Sequence, residues 1–164
     1  MTSNGTHIRL QMVSDPTYLS GARELVSAVS RRLGFSEEGS GQIALAVDEA
    51  LCNIIRHGYD RRRDRPIWLS LNPVHDEQNR AQGVTIVLED EARQVDPEQI
   101  RSRDLDEVRP GGLGVHIIRE VMDEVRYERR PGAAGGMKLT MTKRITQPAP
   151  AGETGPGPCA RGGA

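Results

Sequence analysis

Aromatic residues are scarce in this chain of 164 residues: one Trp, three Tyr and one Phe make up 3% of it. The core must therefore be aliphatic, and a nucleic-acid surface built on stacked rings is disfavoured. Cysteine is nearly absent. Cys52 falls inside a helical pattern and Cys159 in a stretch of Pro and Gly, so neither a disulfide framework nor a zinc site is indicated, and a reducing compartment fits. Net charge is lacking too, because 22 Lys and Arg against 23 Asp and Glu leave −1. No overall field attracts nucleic acid or acidic lipid, and neither is expected as a direct partner. No apolar run approaches the roughly 18 residues that span a bilayer. The N-terminal segment Met1 to His7 lacks the charged and apolar regions of a secretory signal, so a cytoplasmic protein is expected. The only lysines, Lys138 and Lys143, lie near the end of the patterned region, which excludes a G-x-x-x-x-G-K-[ST] phosphate loop.

What is present suits one globular domain with one core, with 36% hydrophobic and 27% charged residues. Residues 147–164, QPAPAGETGPGPCARGGA, are so rich in Pro and Gly that they cannot bury enough apolar surface to offset their ordering entropy. The expected organisation is a domain over 1–146 and a disordered tail over 147–164. Ile8, Leu10 and Met12 alternate as in a strand with one buried face. Leu19, Ala22, Leu25, Val26, Val29 and Leu33 follow the Asp15-Pro16 start signal at helical spacing, and Gly34 closes the run. A second helix is predicted over about 41–57, with Gly58 as its stop. Strands are predicted at 67–71 and 84–88, a short helix at 97–103, a helix over 113–122, and two last strands at 124–130 and 137–145. The charged segment Asp60-Arg61-Arg62-Arg63-Asp64-Arg65-Pro66 reads as a solvated connection rather than a binding site. The order β-α-α-β-β-α-β-β predicts an α+β sandwich of two layers, a mostly antiparallel sheet with helices on one face.

Three features carry chemistry. In the second helix, Glu49 and Asn53 lie roughly 40° apart beside the stripe Ile43, Val47, Ala50, Leu51 and Ile54, with His57 the next step along. Such a row is compatible with a polar flank that caps neighbouring backbone. It is equally compatible with a general base beside an oxygen ligand for a hard cation. The apolar strand from Val84 ends in Glu89-Asp90, which by itself indicates only a turn. Arg109-Pro110-Gly111-Gly112-Leu113-Gly114-Val115 runs glycines directly into an amphipathic helix, where backbone N–H groups and the helix dipole can meet a phosphate.

In this order and spacing, Glu49-Ala50-x-x-Asn53-x-x-x-His57-Gly58-Tyr59, strand-end Asp90 and Pro110-Gly111-Gly112-Leu113-Gly114-Val115 resemble the three nucleotide-binding boxes of the GHKL ATPase superfamily. The helix motif and the small size are most similar to the bacterial anti-sigma factor serine/threonine kinases of partner-switching systems. The resemblance covers about residues 6–145 and implies a GHKL (Bergerat) type sandwich that binds ATP and Mg²⁺. It implies that Asn53 ligates Mg²⁺, that Glu49 orients or deprotonates the attacking hydroxyl, and that Asp90 accepts a hydrogen bond from the adenine amino group. It further implies that Gly111, Gly112, Leu113, Gly114 and Val115 form a lid hinge presenting N–H groups to phosphate, with Arg109 as a phosphate contact. His57 is implied to lie near the nucleotide. Two positions depart from the family pattern. Ala92 stands where a D-x-G box has glycine, which predicts a methyl at the purine face, and Met137 stands where many relatives carry threonine.

The function so implied is an ATP-dependent protein serine/threonine kinase that phosphorylates a small anti-sigma-factor antagonist and alternately sequesters a sigma factor, as a homodimer. The competing reading is a non-catalytic binding module of the same fold with weak or no nucleotide binding. A histidine-kinase catalytic fragment fits less well, because no dimerisation helix with an acceptor histidine is seen.

Overall fold

The computed structural model describes residues 6–102, 113–132 and 134–146. The predicted tail over 147–164, together with Arg109, Gly111 and Gly112, lies outside the described residues. The chain runs β1 (Ile8–Val13), a single 3₁₀ turn (Pro16–Tyr18), α1 (Leu19–Leu33), α2 (Glu37–Asn53), a π-turn (Ile54–Gly58), β2 (Pro66–His75), β3 (Ala81–Asp90), α3 (Pro97–Ser102), α4 (Leu113–Val121), β4 (Glu124–Arg129) and β5 (Met137–Arg144). The five strands form one sheet in the order β1-β2-β3-β5-β4, and every pairing is antiparallel.

Alternation along the strands sends one side of each toward the helices. Ile67, Leu69 and Leu71 of β2, Val84, Ile86 and Leu88 of β3, and Leu139 and Met141 of β5 are buried together with Ile43, Val47 and Leu51 of α2, Val26 of α1 and Ile118 of α4. Helix α2 packs against α1 on one flank and α4 on the other, so it is the middle helix of the layer. The aliphatic core expected from the lack of aromatics is what forms. No helix among the described residues is long and apolar enough to cross a membrane.

Three elements extend beyond the hydrophobic pattern. Helix α2 begins at Glu37 rather than near Gly41, because Ser36 accepts a hydrogen bond from the Gly39 N–H at 3.0 Å and Glu37 and Glu38 occupy the positive first turn. The cap and the dipole outweigh the poor propensity of Gly39 and Gly41. Strands β2 and β3 run on through a polar stretch that reads as loop, and Asp76 closes the hairpin. Its carboxylate accepts from the N–H of Gln78 at 2.9 Å and of Arg80 at 2.8 Å, from Arg80 Nε at 2.8 Å and from Gln82 Nε2 at 3.0 Å.

These donors, the Arg80 N–H foremost, hold the Asp76 carboxyl down at about 2 against an ordinary 3.8. A depressed folded pKa means stability that is present above pH 3.8 and lost as pH falls toward about 2. Asp76→Ala is therefore expected to lower Tm at neutral pH, with the gap to wild type narrowing below pH 3.8 in thermal scans followed by circular dichroism. A gap of constant size down to pH 2 would show that the carboxylate charge is not what closes the hairpin.

Candidate functional site

The stripe that buries α2 also fixes its rotation, and that rotation aims Glu49 and Asn53 at the first turn of α4. Gly114 is buried there. A Cβ at Gly114 would lie 2.7 Å from Glu49 Oε2 and 3.4 and 3.5 Å from Asn53 Nδ2 and Oδ1. Only glycine lets the backbone come this close to both side chains. Glu49 and Asn53 of the predicted helix motif and Gly114, from the described part of the glycine-to-helix motif some 60 residues on in the numbering, thus meet. Their meeting offers a carboxylate, an amide and the free N–H groups of a helix N-terminus. Leu113 is exposed and Val115 half-buried beside it.

Asp90 continues the inward series Val84, Ile86, Leu88, so alternation carries a carboxylate into the helix-facing side of the sheet, 4% exposed. Oδ1 accepts from the N–H of Ala92 at 2.8 Å and of Met137 at 3.0 Å, while Oδ2 has no hydrogen-bond partner among the described residues. Burial pushes the Asp90 carboxyl above its ordinary value, and the two N–H donors and the Arg130 charge pull it back. Gly136, at φ +103, passes so close to the Asp90 carbonyl oxygen that any Cβ there would collide with it. Met137 lies next to Asp90 across the β3–β5 register, on the same face, and is also buried.

The two clusters are joined by the segment that follows Asn53. There the helix opens into a π-turn, with the Tyr59 N–H bonded to the Ile54 carbonyl at 2.8 Å. The buried Tyr59 hydroxyl donates to the Pro66 carbonyl at 2.6 Å and accepts from the Glu91 N–H at 2.6 Å, which fastens the turn after Asp90 to the end of α2. Burial, with the neighbouring Asp90 and Glu91 charges, pushes this phenol up to about 12. Gly58 lies against Ala92, whose Cβ is 3.0 Å from where a side chain at 58 would begin.

Residues 12–143 match the family described as the histidine kinase-like ATPase domain. The chain belongs to the histidine kinase-like ATPase family. Within that family it is similar to the serine-protein kinase RsbW of Listeria innocua serovar 6a, 29% identical over 145 residues that cover 85% of this chain and 88% of the relative. It is also similar to the serine-protein kinase RsbW of Bacillus subtilis, 24% identical over 153 residues covering 88% and 89%. Among solved structures, the RsbU and RsbW domains of Rv1364c from Mycobacterium tuberculosis superpose with a TM-score of 0.57 at 16% identity, over 87% of this chain and 34% of that longer one. That likeness bears on the fold. As a member of an ATPase family the chain binds ATP.

One sequence expectation about the family helix is corrected. His57 does not continue the row of Glu49 and Asn53, because α2 ends at Asn53 and the π-turn's wider hydrogen-bond spacing inserts about one extra residue per turn. His57 is exposed and lines a cavity of about 600 Å³ with Cys52, Arg56 and Arg61. Reading the sequence also passed over two residues that hold the Asp90 turn. Tyr59 was visible only as the last letter of a motif. Arg130 gave no signal at all, yet its guanidinium stacks 4.5 Å from the Trp68 ring, lies 3.4 Å from the Asp90 carbonyl and pairs with Glu91 at 3.4 Å and Glu89 at 3.5 Å.

Removing the Tyr59 hydroxyl leaves the Pro66 carbonyl and the Glu91 N–H unpaired in a partly buried place. Tyr59→Phe is expected to destabilise the fold by about 1–3 kcal/mol in urea titration and to weaken ATP binding through the loosened turn. Unchanged stability and affinity would remove Tyr59 from the framework of the site.

Proposed function

We propose that this protein is an ATP-dependent serine/threonine kinase of a partner-switching system, which phosphorylates a small antagonist protein and alternately holds a sigma factor. The observation that carries the reading is Glu49 and Asn53 set together against the N-terminus of α4. Similarity to relatives named serine-protein kinases over most of both chains supports it. The donor set suits Mg²⁺, which takes oxygen ligands, needs few of them from protein and keeps several waters. Asn53 Oδ1 would be the protein ligand, and the ion would neutralise phosphate charge when bound. Among the described residues no cluster of three or more His, Cys, Asp or Glu forms a metal cage.

Each residue of the chain has a separate task. Glu49 accepts the proton of the attacking serine or threonine hydroxyl, or orients that hydroxyl toward the γ-phosphate. The N–H groups at Leu113, Gly114 and Val115 and the dipole of α4 steady the phosphates, and the family resemblance assigns Gly111, Gly112 and Arg109 to phosphate contact as well. Asp90 Oδ2 accepts from the adenine amino group, with Met137 as an apolar wall beside it. His57, exposed on the π-turn, lines the neighbouring cavity with Arg56 and Arg61 and is assigned no chemical step. The two departures from the family pattern do not argue for a non-catalytic module. The Ala92 methyl packs on Gly58, and Met137 serves Asp90 through its backbone N–H, which any residue but proline provides.

A homodimer formed through β1 is part of the proposal. This edge strand has unpaired backbone groups, and with α1 it lines an apolar groove of about 440 Å³ in which Tyr18 is 54% exposed. A sedimentation coefficient of a monomer at all concentrations would remove it.

Glu49→Gln is expected to leave the Kd for Mg²⁺-ATP within about twofold and to lower phosphate transfer at least 100-fold, on the order of a lost general base. Equal transfer rates would exclude Glu49 from the chemistry. Asp90→Asn relieves a buried charge, so its unfolding midpoint is expected to match or exceed that of wild type. Its amide presents a donor where adenine needs an acceptor, so ATP affinity is expected to fall at least tenfold, about 1.4 kcal/mol. Calorimetric titration with ATP reads both, and undiminished ATP affinity in Asp90→Asn would refute the adenine contact.

A further inference from the structure

The charged segment after α2 is bonded back onto the protein, through the Arg61 N–H to the Ile55 carbonyl at 2.7 Å and the Arg62 N–H to the Tyr59 carbonyl at 3.0 Å. Arg61 and Arg63 of this segment fold back beside Arg56 and His57 of the π-turn to wall the cavity of about 600 Å³ against the start of α1. Leu19 and Ile55 give it an apolar floor, and no carboxylate lines it. Arg63 has Asp15 at 4.0 Å, a loose and exposed pair, whereas Arg56 and Arg61 form no ion pair among the described residues. Asp60 and Arg61 both sit in the left-handed region, at φ 48 and 61. Residues with a Cβ adopt that region at a cost, which here turns the chain back so that Arg61 lines the cavity. In a chain of net charge −1, this is a local concentration of positive charge in a concave place.

Its position relative to the site is set by α2. Cys52 lines the cavity and follows Glu49 by three residues, roughly 4.5 Å along the helix axis. The Cys52 wall of the cavity therefore lies less than one helical turn along the axis from the carboxylate assigned as base. We propose that this cavity is the docking surface for an acidic segment of the protein substrate, which positions the acceptor serine or threonine at Glu49. The inference rests on the kinase reading above. The Arg56 and Arg61 guanidinium groups, without an ion-pair partner among the described residues and next to an apolar floor, match a segment of Asp and Glu side chains interspersed with aliphatic ones. The cavity exceeds what one phosphate fills, and its lining has no Phe, Tyr or Trp and a single imidazole, His57, which is less than a stacking platform for successive nucleic-acid bases needs.

Fluorescence anisotropy of a labelled deca-glutamate peptide tests this, with wild type, Arg56→Gln/Arg61→Asn and the remote Arg32→Glu compared at low salt. Asn suits the left-handed backbone at 61, so the double variant removes charge without added strain. Wild type and Arg32→Glu are expected to bind saturably and the double variant about tenfold more weakly, as for loss of close charge pairs. Calorimetry is expected to give all three the same affinity for Mg²⁺-ATP. No saturable peptide binding by wild type, equal binding by the double variant, or binding of a twelve-nucleotide oligouridylate in place of the peptide would overturn the docking surface. Failure of wild type to bind Mg²⁺-ATP would instead overturn the kinase reading, and the two failures are read in separate experiments.

Discussion

The rotation of α2 about its own axis is the constraint on which the rest of the structure depends. Ile43, Val47 and Leu51 are fully buried against the sheet, and α1 and α4 close both flanks of the helix. A helix held on three sides has no freedom to turn, because any rotation would exchange buried aliphatic atoms for polar ones. Among the described residues neither the Glu49 nor the Asn53 side chain has a hydrogen bond or ion pair, so their direction follows from that of the helix. The absence of a Cβ at Gly114 completes the arrangement by letting the α4 backbone reach them.

The second requirement is electrostatic. Period-two alternation in β3 carries Asp90 to the inner face as strictly as it carries Leu88, and nothing in that geometry distinguishes an apolar side chain from a charged one. A buried carboxylate is tolerable only with donors, and the donors come from backbone: Ala92 within the same turn and Met137 from the neighbouring strand. Around them, the Tyr59 hydroxyl and the stack of Arg130 on Trp68 hold the turn in place. One oxygen is saturated and the other left to accept, a division of labour suited to recognising a single donor on a ligand.

Legibility differed sharply between kinds of residue. The apolar periods gave the strands and helices in order, and Gly34, Asp15-Pro16 and the core stripe of α2 acted as read. The start of α2 and the length of the β2–β3 hairpin were not legible, because a serine cap and one carboxylate with four donors do what hydrophobic pattern does elsewhere. The π-turn was hidden for a related reason: 3.6-residue spacing was extended through Ile54, Arg56 and His57, where backbone bonding had already changed. Arg130 was invisible, since a charged residue at a strand end gives no sequence signal and acquires meaning only from Trp68 and Asp90 lying beside it.

The sequence by itself determined the class of fold and the aliphatic core, because periodicity and propensity are local properties written residue by residue, and its motifs offered candidate site residues through a family resemblance. Tertiary structure alone decided which of them meet. It set Gly114 against Glu49 and Asn53, placed Met137 on Asp90, and turned His57 and the arginines of residues 56–63 toward α1 into a cavity of their own. These are contacts between segments distant along the chain or turned by an irregular helix end. They follow from how buried faces stack and how backbone groups find partners, which no local pattern encodes.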